Sequence, residues 1–260
     1  MIRNVLSIAG SDPSGGAGIQ ADLKTFAARG VYGMAALTAL TAQNTKGVWG
    51  VHLVPPEFVA QQIKAVLADI RVDAVKIGMI ANADIAEAVA DALAAHRGIP
   101  IVLDPVMIAT SGARLLKPGA IAALQKELLP LAALATPNLD EAEILVGHPL
   151  TSVEDMRTAA KEIHARFGCA ALVKGGHLRG LAEAVDIFYD GKAELLLTAP
   201  FVRGVSTHGT GCTYSAAITA GLAQGLKLSD AVKLGKKFIT NAITNSQRVG
   251  KHFVLNGQVN

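Results

Sequence analysis

Cysteine is scarce in this sequence of 260 residues, which contains Cys169 and Cys212 and no CxxC motif. Two isolated cysteines cannot build a disulfide framework, and such chains are typical of a reducing compartment. Aromatic residues make up only 4% of the chain, which argues against the stacking platforms of single-stranded nucleic-acid binders. We therefore expect a cytoplasmic protein that does not bind nucleic acid.

Long apolar runs and a strong net charge are also absent. No uninterrupted apolar stretch reaches the length of a membrane span, and the run near the N-terminus is too short for a signal-peptide core. The net charge is +3, and the basic residues form no stripe suited to DNA. The richest basic cluster is Lys233, Lys236 and Lys237, two of which we expect on a solvated helix face. These features predict a water-soluble protein with no membrane partner.

Short apolar, β-rich runs alternate along the chain with longer segments of helical periodicity. Hydrophobic residues make up 51% of the chain, and no linker or repeat divides it, so we expect a single domain over residues 1–260. The predicted strands are Val5–Ala9, Gly33–Leu40, Ala74–Ile77, Ile101–Asp104, Ala133–Thr136, Ala170–Lys174 and a hairpin of Ala184–Tyr189 with Ala193–Ala199. The predicted helices are Ala17–Arg29, Pro56–Ile70, Ala83–His96, Ile121–Leu129, Leu139–Val146, Val153–Phe167, Cys212–Gln224 and Ser229–Ser246. This order predicts an α/β fold with helices on both faces of a mostly parallel sheet, and ligands at the carboxyl ends of its strands.

A glycine-rich turn, residues 9–22 (AGSDPSGGAGIQAD), joins the first predicted strand to the first predicted helix. It matches neither the G-x-G-x-x-G dinucleotide fingerprint nor a P-loop, so a tight βα turn is the simplest interpretation. The turn lets a small ligand approach the backbone closely. Asp22, one turn into the helix, is either a ligand-facing carboxylate or an exposed one near the favourable end of the helix dipole.

Polar residues follow two further predicted strands. An amide such as Gln43 or Asn44 suits an aminopyrimidine edge because it both donates and accepts, although the spacing fits a plain loop amide better. Asp104 ends a buried strand in VLDPVM, where an unpaired carboxylate is costly. Because Pro105 and its successors do not resemble a helix start, we favour a metal or substrate site for Asp104 over a helix cap.

Two more candidates lie after later strands. Asn138 and Glu141 in TPNLDEAEIL match a capping box, and spacing alone favours this cap over a water-mediated magnesium contact by Glu141. Lys174 ends a strand in ALVKGGH. It either pairs with phosphate as a point charge or lies at the surface of a turn.

The segment STHGTGCTYS, residues 206–215, places Gly209, Thr210 and Gly211 directly before Cys212, near the start of a predicted helix. Backbone N–H groups of small residues at a helix N-terminus form an anion hole suited to a transferring phosphoryl group. The same position lowers the pKa of a thiol, which makes Cys212 a candidate general base. A buried cysteine that packs the helix start is the alternative, and the flanking glycines favour catalysis.

Taken together, these motifs resemble the ribokinase superfamily, and within it the bacterial hydroxymethylpyrimidine/phosphomethylpyrimidine kinases of thiamine synthesis. The segments that carry the resemblance are SIAGSDPSGGAGIQADLKTF, ALTAQNT, KIGMI, VLDPVM, TPNLDEAEIL, VKGGH and STHGTGCT, in the family's order. The resemblance implies a ribokinase-like three-layer α/β/α sandwich with a mostly parallel central sheet. The tail, VGKHFVLNGQVN, departs from the glycine-rich ending common in the family, which leaves its role in dimer contact or nucleotide closure open.

The resemblance also implies catalytic roles. Cys212 stands where related sugar kinases carry aspartate, and it is similar to the catalytic base of the hydroxymethylpyrimidine branch. Gly209 and Gly211 would frame the anion hole. Lys236 matches a family lysine that assists phosphate binding, which would make one member of the basic cluster functional.

Ligand contacts are implied in the same way. Asp104 and Glu141 look like the carboxylates that order magnesium and phosphate, while Lys174 and Thr210 would contact the phosphates of ATP. The residues implied to bind or line the pyrimidine are Gln43, Asp22, Ala17, Met79 and Val106.

The activity implied by the resemblance is transfer of phosphate from ATP, with Mg²⁺, to a small-molecule pyrimidine. The acceptor would be 4-amino-5-hydroxymethyl-2-methylpyrimidine, phosphorylated to the monophosphate and then to the pyrophosphate, by a homodimeric enzyme. Pyridoxal kinase is the alternative within kinases, because pyridoxal is also a hydroxymethyl heteroaromatic. A non-catalytic sensor of pyrimidine or nucleotide is the alternative from another class.

Overall fold

The computed structural model describes residues 1–107, 118–176, 178, 182–202, 204–205 and 208–255. The strands are β1 Asn4–Ser11, β2 Tyr32–Asn44, β3 Gly47–Leu53, β4 Ala74–Ile77, β5 Ile101–Leu103, β6 Leu134–Ala135, β7 Ala170–Lys174, β8 Glu183–Tyr189, β9 Glu194–Pro200, β10 Gln247–Val249 and β11 His252–Val254. The α-helices are α1 Gly18–Ala28, α2 Pro56–Asp69, α3 Ala83–Leu93, α4 Pro118–Ala123, α5 Leu139–Val146, α6 Val153–Phe167, α7 Thr210–Ala223 and α8 Leu228–Thr244. None of these helices is both long enough and apolar enough to cross a membrane.

One nine-stranded sheet organises the chain, in the order β3-β2-β1-β4-β5-β6-β7-β8-β9. The strands from β2 to β7 in this order run parallel, while β3 and β8 are antiparallel to their neighbours. The predicted hairpin is confirmed as β8 and β9, with Gly191 at a φ of 90° in its turn. The carboxyl ends of the parallel strands therefore meet at one edge, where ligands are expected.

The central strands bury both faces, which explains their continuous apolar character. Val75 and Ile77 of β4 pack into a large core with α2, α3, α5 and α6. Ala74 faces the other side, where it packs with Ala216 and Ala220 of α7. The sheet is thus the middle of three layers, and α7 lies across its other face.

The sequence prediction misses several features of the observed fold. Strand β2 continues to Asn44 and pairs with β3, so Gln43 and Asn44 lie within a hairpin and not after a strand. The predicted helix Ile121–Leu129 is α4 followed by a π-turn at Leu124–Leu128. The C-terminal hairpin β10–β11 was not predicted; its turn reaches the β2–β3 hairpin, where the Lys251 amide donates to Thr45 Oγ1 at 3.1 Å. The last five residues of the tail lie outside the described residues.

Candidate active site

A buried ion pair lies at the carboxyl ends of β5 and β7. Lys174 Nζ donates to Asp104 Oδ1 at 2.9 Å, and Thr136 Oγ1 donates to the same oxygen at 3.0 Å. Burial alone would raise the pKa of Asp104, but the ammonium groups of Lys174 and Lys76 hold it below its ordinary value. Burial alone would lower the pKa of Lys174, and the Asp104 and Glu141 carboxylates raise it instead. Both groups are therefore charged at neutral pH. No helix begins at residues 105–107, the described residues that directly follow Asp104, so Asp104 caps no helix there.

Glu141 adds a second buried carboxylate to this pair. The predicted capping box is confirmed, since Glu141 Oε2 accepts the Asn138 amide and Asn138 Oδ1 accepts the Glu141 amide, both at 2.9 Å. Oε1 accepts a further bond from the Met107 amide at 3.3 Å. Burial raises the pKa of Glu141 to about 7, and Lys174 lowers it while Asp104 raises it. The residue thus combines a cap with a position facing the charged pair.

Asp104 and Glu141 offer the hard oxygen donors that magnesium prefers. The described residues contain no group of three or more His, Cys, Asp or Glu arranged to hold a metal ion. Magnesium in phosphoryl-transfer enzymes is usually bound by one or two carboxylates together with substrate phosphates, so two carboxylates are sufficient. The mutual repulsion that raises the pKa of Glu141 is a further reason for a cation at this position.

Helix α7 begins beside the ion pair. Its N-cap, Gly209, has a φ of 79°, and an added Cβ there would collide with the carbonyl of Gly16. A Cβ on Gly211 would lie 3.2 Å from Lys174 Nζ and 3.3 Å from Asp104 Oδ2. Thr210 Oγ1 is buried with no hydrogen-bond partner among the described residues. The backbone amides of this first turn, the ammonium of Lys174 and the Thr210 hydroxyl are the donors that could bind an anion here.

Cys212 lies in the same first turn and is partly exposed. The expectation of a lowered pKa is wrong for this structure, because burial raises the pKa of Cys212 to about 11. Lys76 and the Gly18 amide lower it, and the Asp22 and Asp104 carboxylates raise it. The helix-terminus argument fails since desolvation among two carboxylates outweighs the dipole. The thiol is therefore predominantly protonated at neutral pH.

The predicted pyrimidine-lining residues surround the glycine-rich turn and the adjacent strand ends. Ala17 is the N-cap of α1 and packs beside Gly209. Met79 follows β4, and its methyl group lies against Gly10, where a Cβ would displace it. Val106 follows Asp104 and is partly exposed. Gln43 is partly exposed near the end of β2, where its Oε1 accepts a bond from Thr41 Oγ1 at 3.2 Å.

Asp12, which sequence reasoning missed, holds the glycine-rich turn in place. Its Oδ1 accepts the Ser14 amide at 2.9 Å, and its Oδ2 accepts the Ala17 amide at 2.9 Å and lies 3.2 Å from His208 Nε2. Burial alone would raise the pKa of Asp12, but these hydrogen bonds lower it to about 2. The turn is thereby linked to the residue that precedes Gly209. The signal in the sequence was an aspartate two residues before a serine in a tight turn.

Asp22 is not the exposed carboxylate that one interpretation of the sequence offered, and a contact between Asp22 and a ligand stays a prediction. Its carboxylate is fully buried, where Oδ2 accepts bonds from Ser7 Oγ at 2.6 Å and Lys76 Nζ at 3.0 Å. The reason is that Asp22 lies on the inner face of α1, against β1 and β4. Lys76, the first residue of the KIGMI segment but not one of the predicted site residues, is also 0% exposed.

Lys236 stands apart from this cluster. As expected, Lys233 and Lys237 are exposed while Lys236 is buried. Lys236 Nζ donates to Asp186 Oδ2 at 2.7 Å, and Asp186 Oδ1 accepts the Gly175 amide at 3.1 Å. Lys236 is thus connected through Asp186 to Gly175, the residue after Lys174. A direct contact between Lys236 and a phosphate stays a prediction.

Comparison with known proteins agrees with this arrangement. Residues 12–257 match the family model for phosphomethylpyrimidine kinase. The chain is 51% identical to the hydroxymethylpyrimidine/phosphomethylpyrimidine kinase of Rhizobium meliloti, over 96% of this chain and 93% of that protein. It is 49% identical to the thiamine biosynthesis bifunctional protein ThiED of Geobacter sulfurreducens over 95% of this chain, and it spans 50% of that longer protein.

The solved structures support the same fold. The ADP complex of Bacillus subtilis pyridoxal kinase superposes with a TM-score of 0.91 at 39% identity, covering 99% of this chain and 98% of that one. The ribokinase-like fold expected from the motifs is therefore confirmed. From the family match and the full-length identity to curated kinases, the chain belongs to the phosphomethylpyrimidine kinase family.

Proposed function

We propose that this protein transfers the γ-phosphoryl group of ATP to 4-amino-5-hydroxymethyl-2-methylpyrimidine, and then phosphorylates the monophosphate to the pyrophosphate for thiamine synthesis. The observation that carries the proposal is the Asp104–Lys174 pair, which lies against Gly211 in the first turn of α7, one residue before a partly exposed thiol. Phosphoryl transfer needs positioning and charge stabilisation more than covalent chemistry, and this arrangement supplies both.

We assign the roles of the site residues from their charges. Lys174 and the amides of the α7 first turn would stabilise the negative charge that develops on the transferring phosphoryl group. Asp104 and Glu141 would hold Mg²⁺, which when bound neutralises the charge of the ATP phosphates. Cys212 would accept the proton of the pyrimidine hydroxyl while the hydroxyl oxygen forms its bond to the γ-phosphorus and ADP leaves. In the second step the acceptor is already an anionic phosphate, so no base is required.

We place the nucleoside of ATP beside α8. A groove of about 420 Å³ lies between β9 and α8 and is lined by apolar residues of β9, including Leu196 and Ala199, and by Thr240 and Asn241. Lys236 also lines this groove. Asp186 joins Lys236 to the Gly175 amide, so hydrogen bonds connect the lining of the groove to the residue after Lys174. Lys236 would then assist phosphate binding from the nucleoside side.

The substrate would enter above the glycine-rich turn. The Gln43 side chain would read the aminopyrimidine edge, with Ala17, Met79 and Val106 around the ring. A product assay tests the assignment: ATP with the pyrimidine alcohol should yield ADP, the monophosphate and then the pyrophosphate. Binding without ADP release would instead indicate a sensor.

Pyridoxal phosphorylation is the second candidate, because the chain superposes closely on a pyridoxal kinase. The two acceptors should be compared side by side at equal enzyme concentration. A kcat/KM for pyridoxal above that for the pyrimidine alcohol would reverse the order of the two proposals.

The two phosphorylation steps should differ in their response to pH. Because the pKa of Cys212 is raised to about 11, its thiolate fraction increases about tenfold for each pH unit across the neutral range. We expect kcat/KM of the first step to rise with pH between about pH 6.5 and 9 without reaching a plateau, as general-base catalysis requires. Both steps share the ionisation of Glu141 near pH 7, but the second step, assayed from the monophosphate, should lack the rise above about pH 8. A plateau near pH 7 in the first step would contradict a thiolate base with this pKa.

We further propose that the protein is a cytoplasmic homodimer and that β3 forms the dimer contact. Strand β3 is one of the two edge strands of the nine-stranded sheet, and Trp49 and Val51 are 64% and 52% exposed. An exposed apolar edge strand is a site for pairing with another chain. The two free cysteines fit a reducing compartment.

Replacing Trp49 by glutamate should convert the dimer to a monomer. A carboxylate at the centre of an apolar contact must be desolvated, which opposes association. Light scattering coupled to gel filtration measures the mass directly, and Lys237→Gln, on the exposed face of α8, makes the same change in net charge as Trp49→Glu and serves as the control. A dimer that survives Trp49→Glu would place the contact elsewhere.

A further inference from the structure

A buried cation lies beneath the catalytic edge of the sheet. Lys76 is in the middle of β4 and is 0% exposed, although lysine is almost never fully buried unless it is paired. Among the described residues its ammonium has one hydrogen-bond acceptor, Asp22 Oδ2 at 3.0 Å. Burial alone would lower the pKa of Lys76, but Asp22 raises it well above its ordinary value, so the group is charged.

The register of the layers places this cation under Cys212. Ala216 and Ala220 of α7 pack on Ala74 of β4. Residues four apart share one face of a helix, so Cys212 continues the stripe one turn toward the N-terminus. Lys76 continues the same face of β4 two residues beyond Ala74. Lys76 and Cys212 therefore lie on the two faces that pack together between β4 and α7, both displaced in the same direction from the contact of Ala74 with Ala216 and Ala220.

The strand end is shaped to admit the ammonium. A Cβ on Gly78 would lie only 2.7 Å from Lys76 Nζ. Ser7, the register partner of Lys76 on β1, donates to the Asp22 oxygen that accepts from Lys76. Asp22 Oδ1 is buried without a hydrogen-bond partner among the described residues. A buried ion pair costs desolvation that its Coulombic attraction need not repay, so stability alone is a weak reason for this pair.

Several charged groups face the Cys212 thiol. Lys76 on β4 and the Gly18 amide at the start of α1 favour the thiolate, while Asp22 on α1 and Asp104 after β5 oppose it. Lys174 at the end of β7 also interacts with the thiolate charge. Among these influences the Lys76 cation is the largest that favours ionisation.

We propose that Lys76 is a positioning residue whose buried ammonium stabilises the thiolate of Cys212, with Asp22 fixing that ammonium from below. The role in catalysis rests on the proposed function, since it assumes that the thiolate accepts the proton of the substrate hydroxyl. The electrostatic part is independent of any substrate and is tested on the free protein.

The test measures alkylation of Cys212 by iodoacetamide at pH 8, followed by mass spectrometry. A Cys169→Ala background leaves Cys212 as the single thiol. In that background Asp22→Asn should speed alkylation, because it removes a carboxylate that opposes the thiolate. Asp22→Asn with Lys76→Met, which replaces the ion pair by neutral groups of similar size, should be about tenfold slower than Asp22→Asn alone. General loosening of the fold would speed alkylation in both variants. A rate that rises in Asp22→Asn and falls again when Lys76→Met is added therefore indicates an electrostatic effect and not a loss of structure.

Equal alkylation rates in Asp22→Asn and in the double variant would overturn the proposal. Thermal unfolding of each variant shows that the compared proteins are folded, and the pH dependence of alkylation in the wild type gives the reference. If the rates differ as expected, the first phosphorylation should fall more than the second in the double variant. A first step unchanged despite slower alkylation would support the electrostatic role of Lys76 and overturn the general-base role of Cys212 instead.

Discussion

Replacing Cys212 by alanine should slow the first phosphorylation by about 10²- to 10⁴-fold, the usual contribution of a general base. Cys212 is partly exposed and lies in the turn where an added Cβ on Gly211 would approach the Asp104–Lys174 pair. The neighbouring carboxylates of Asp104 and Glu141 are assigned to Mg²⁺ and not to the substrate proton. ATP affinity, measured by calorimetry, should change little, because the amides of the α7 first turn and Lys174 remain. The second phosphorylation should retain most of its rate.

Cys169→Ala is the matched control for this experiment. Cys169 is 2% exposed and precedes β7, at the opposite end of the sheet from the strand ends that form the site. Burial also raises the pKa of Cys169 to about 11, so the two thiols are alike in acidity and differ in location. Near-normal first-step turnover in Cys212→Ala would remove the thiol from the mechanism.

Local pattern was sufficient to predict most of the fold. The segment Ala74–Ile77, predicted as a strand, matches β4 residue for residue, because the apolar Ala74, Val75 and Ile77 indicate a strand that is buried on both faces. The capping box at Asn138 likewise shows in sequence the helix start that the structure contains. Strand β3 was missed because exposed edge residues carry no alternating pattern from which a buried face could be inferred.

The site was predicted less completely, for a physical reason. Asp104, Lys174 and Gly211 were found because polar residues at strand ends meet at one edge. The Asp22–Lys76 pair was not predicted because the two residues are 54 positions apart in the sequence. They come into contact only through the packing of α1 against β4, which no local pattern indicates. The pKa of Cys212 depended on desolvation and on that same pair, so a helix-dipole argument from the sequence gave the wrong direction.

Replacing Gly211 by alanine should reduce both phosphorylation steps by about 10²-fold or more while the protein remains folded. Gly211 lies inside α7, and its φ is not in the left-handed region, so alanine is compatible with the backbone and favours the helix. The new methyl group would occupy the place 3.2 Å from Lys174 Nζ where a phosphoryl oxygen is expected. Removing one element of such an anion hole costs about 10²- to 10³-fold.

Gly119→Ala is the control, because an added Cβ in α4 meets none of the described residues within 4 Å. It should leave both steps unchanged, and the thermal midpoint of Gly211→Ala should not fall below that of the wild type. Gly209→Ala provides the contrast, since a positive φ and a collision with the Gly16 carbonyl should destabilise the fold as well. Separation of the two effects, with activity lost at Gly211 and stability lost at Gly209, would identify the first turn of α7 as the phosphoryl site. Near-wild-type turnover in Gly211→Ala would mean that the transferring group lies elsewhere.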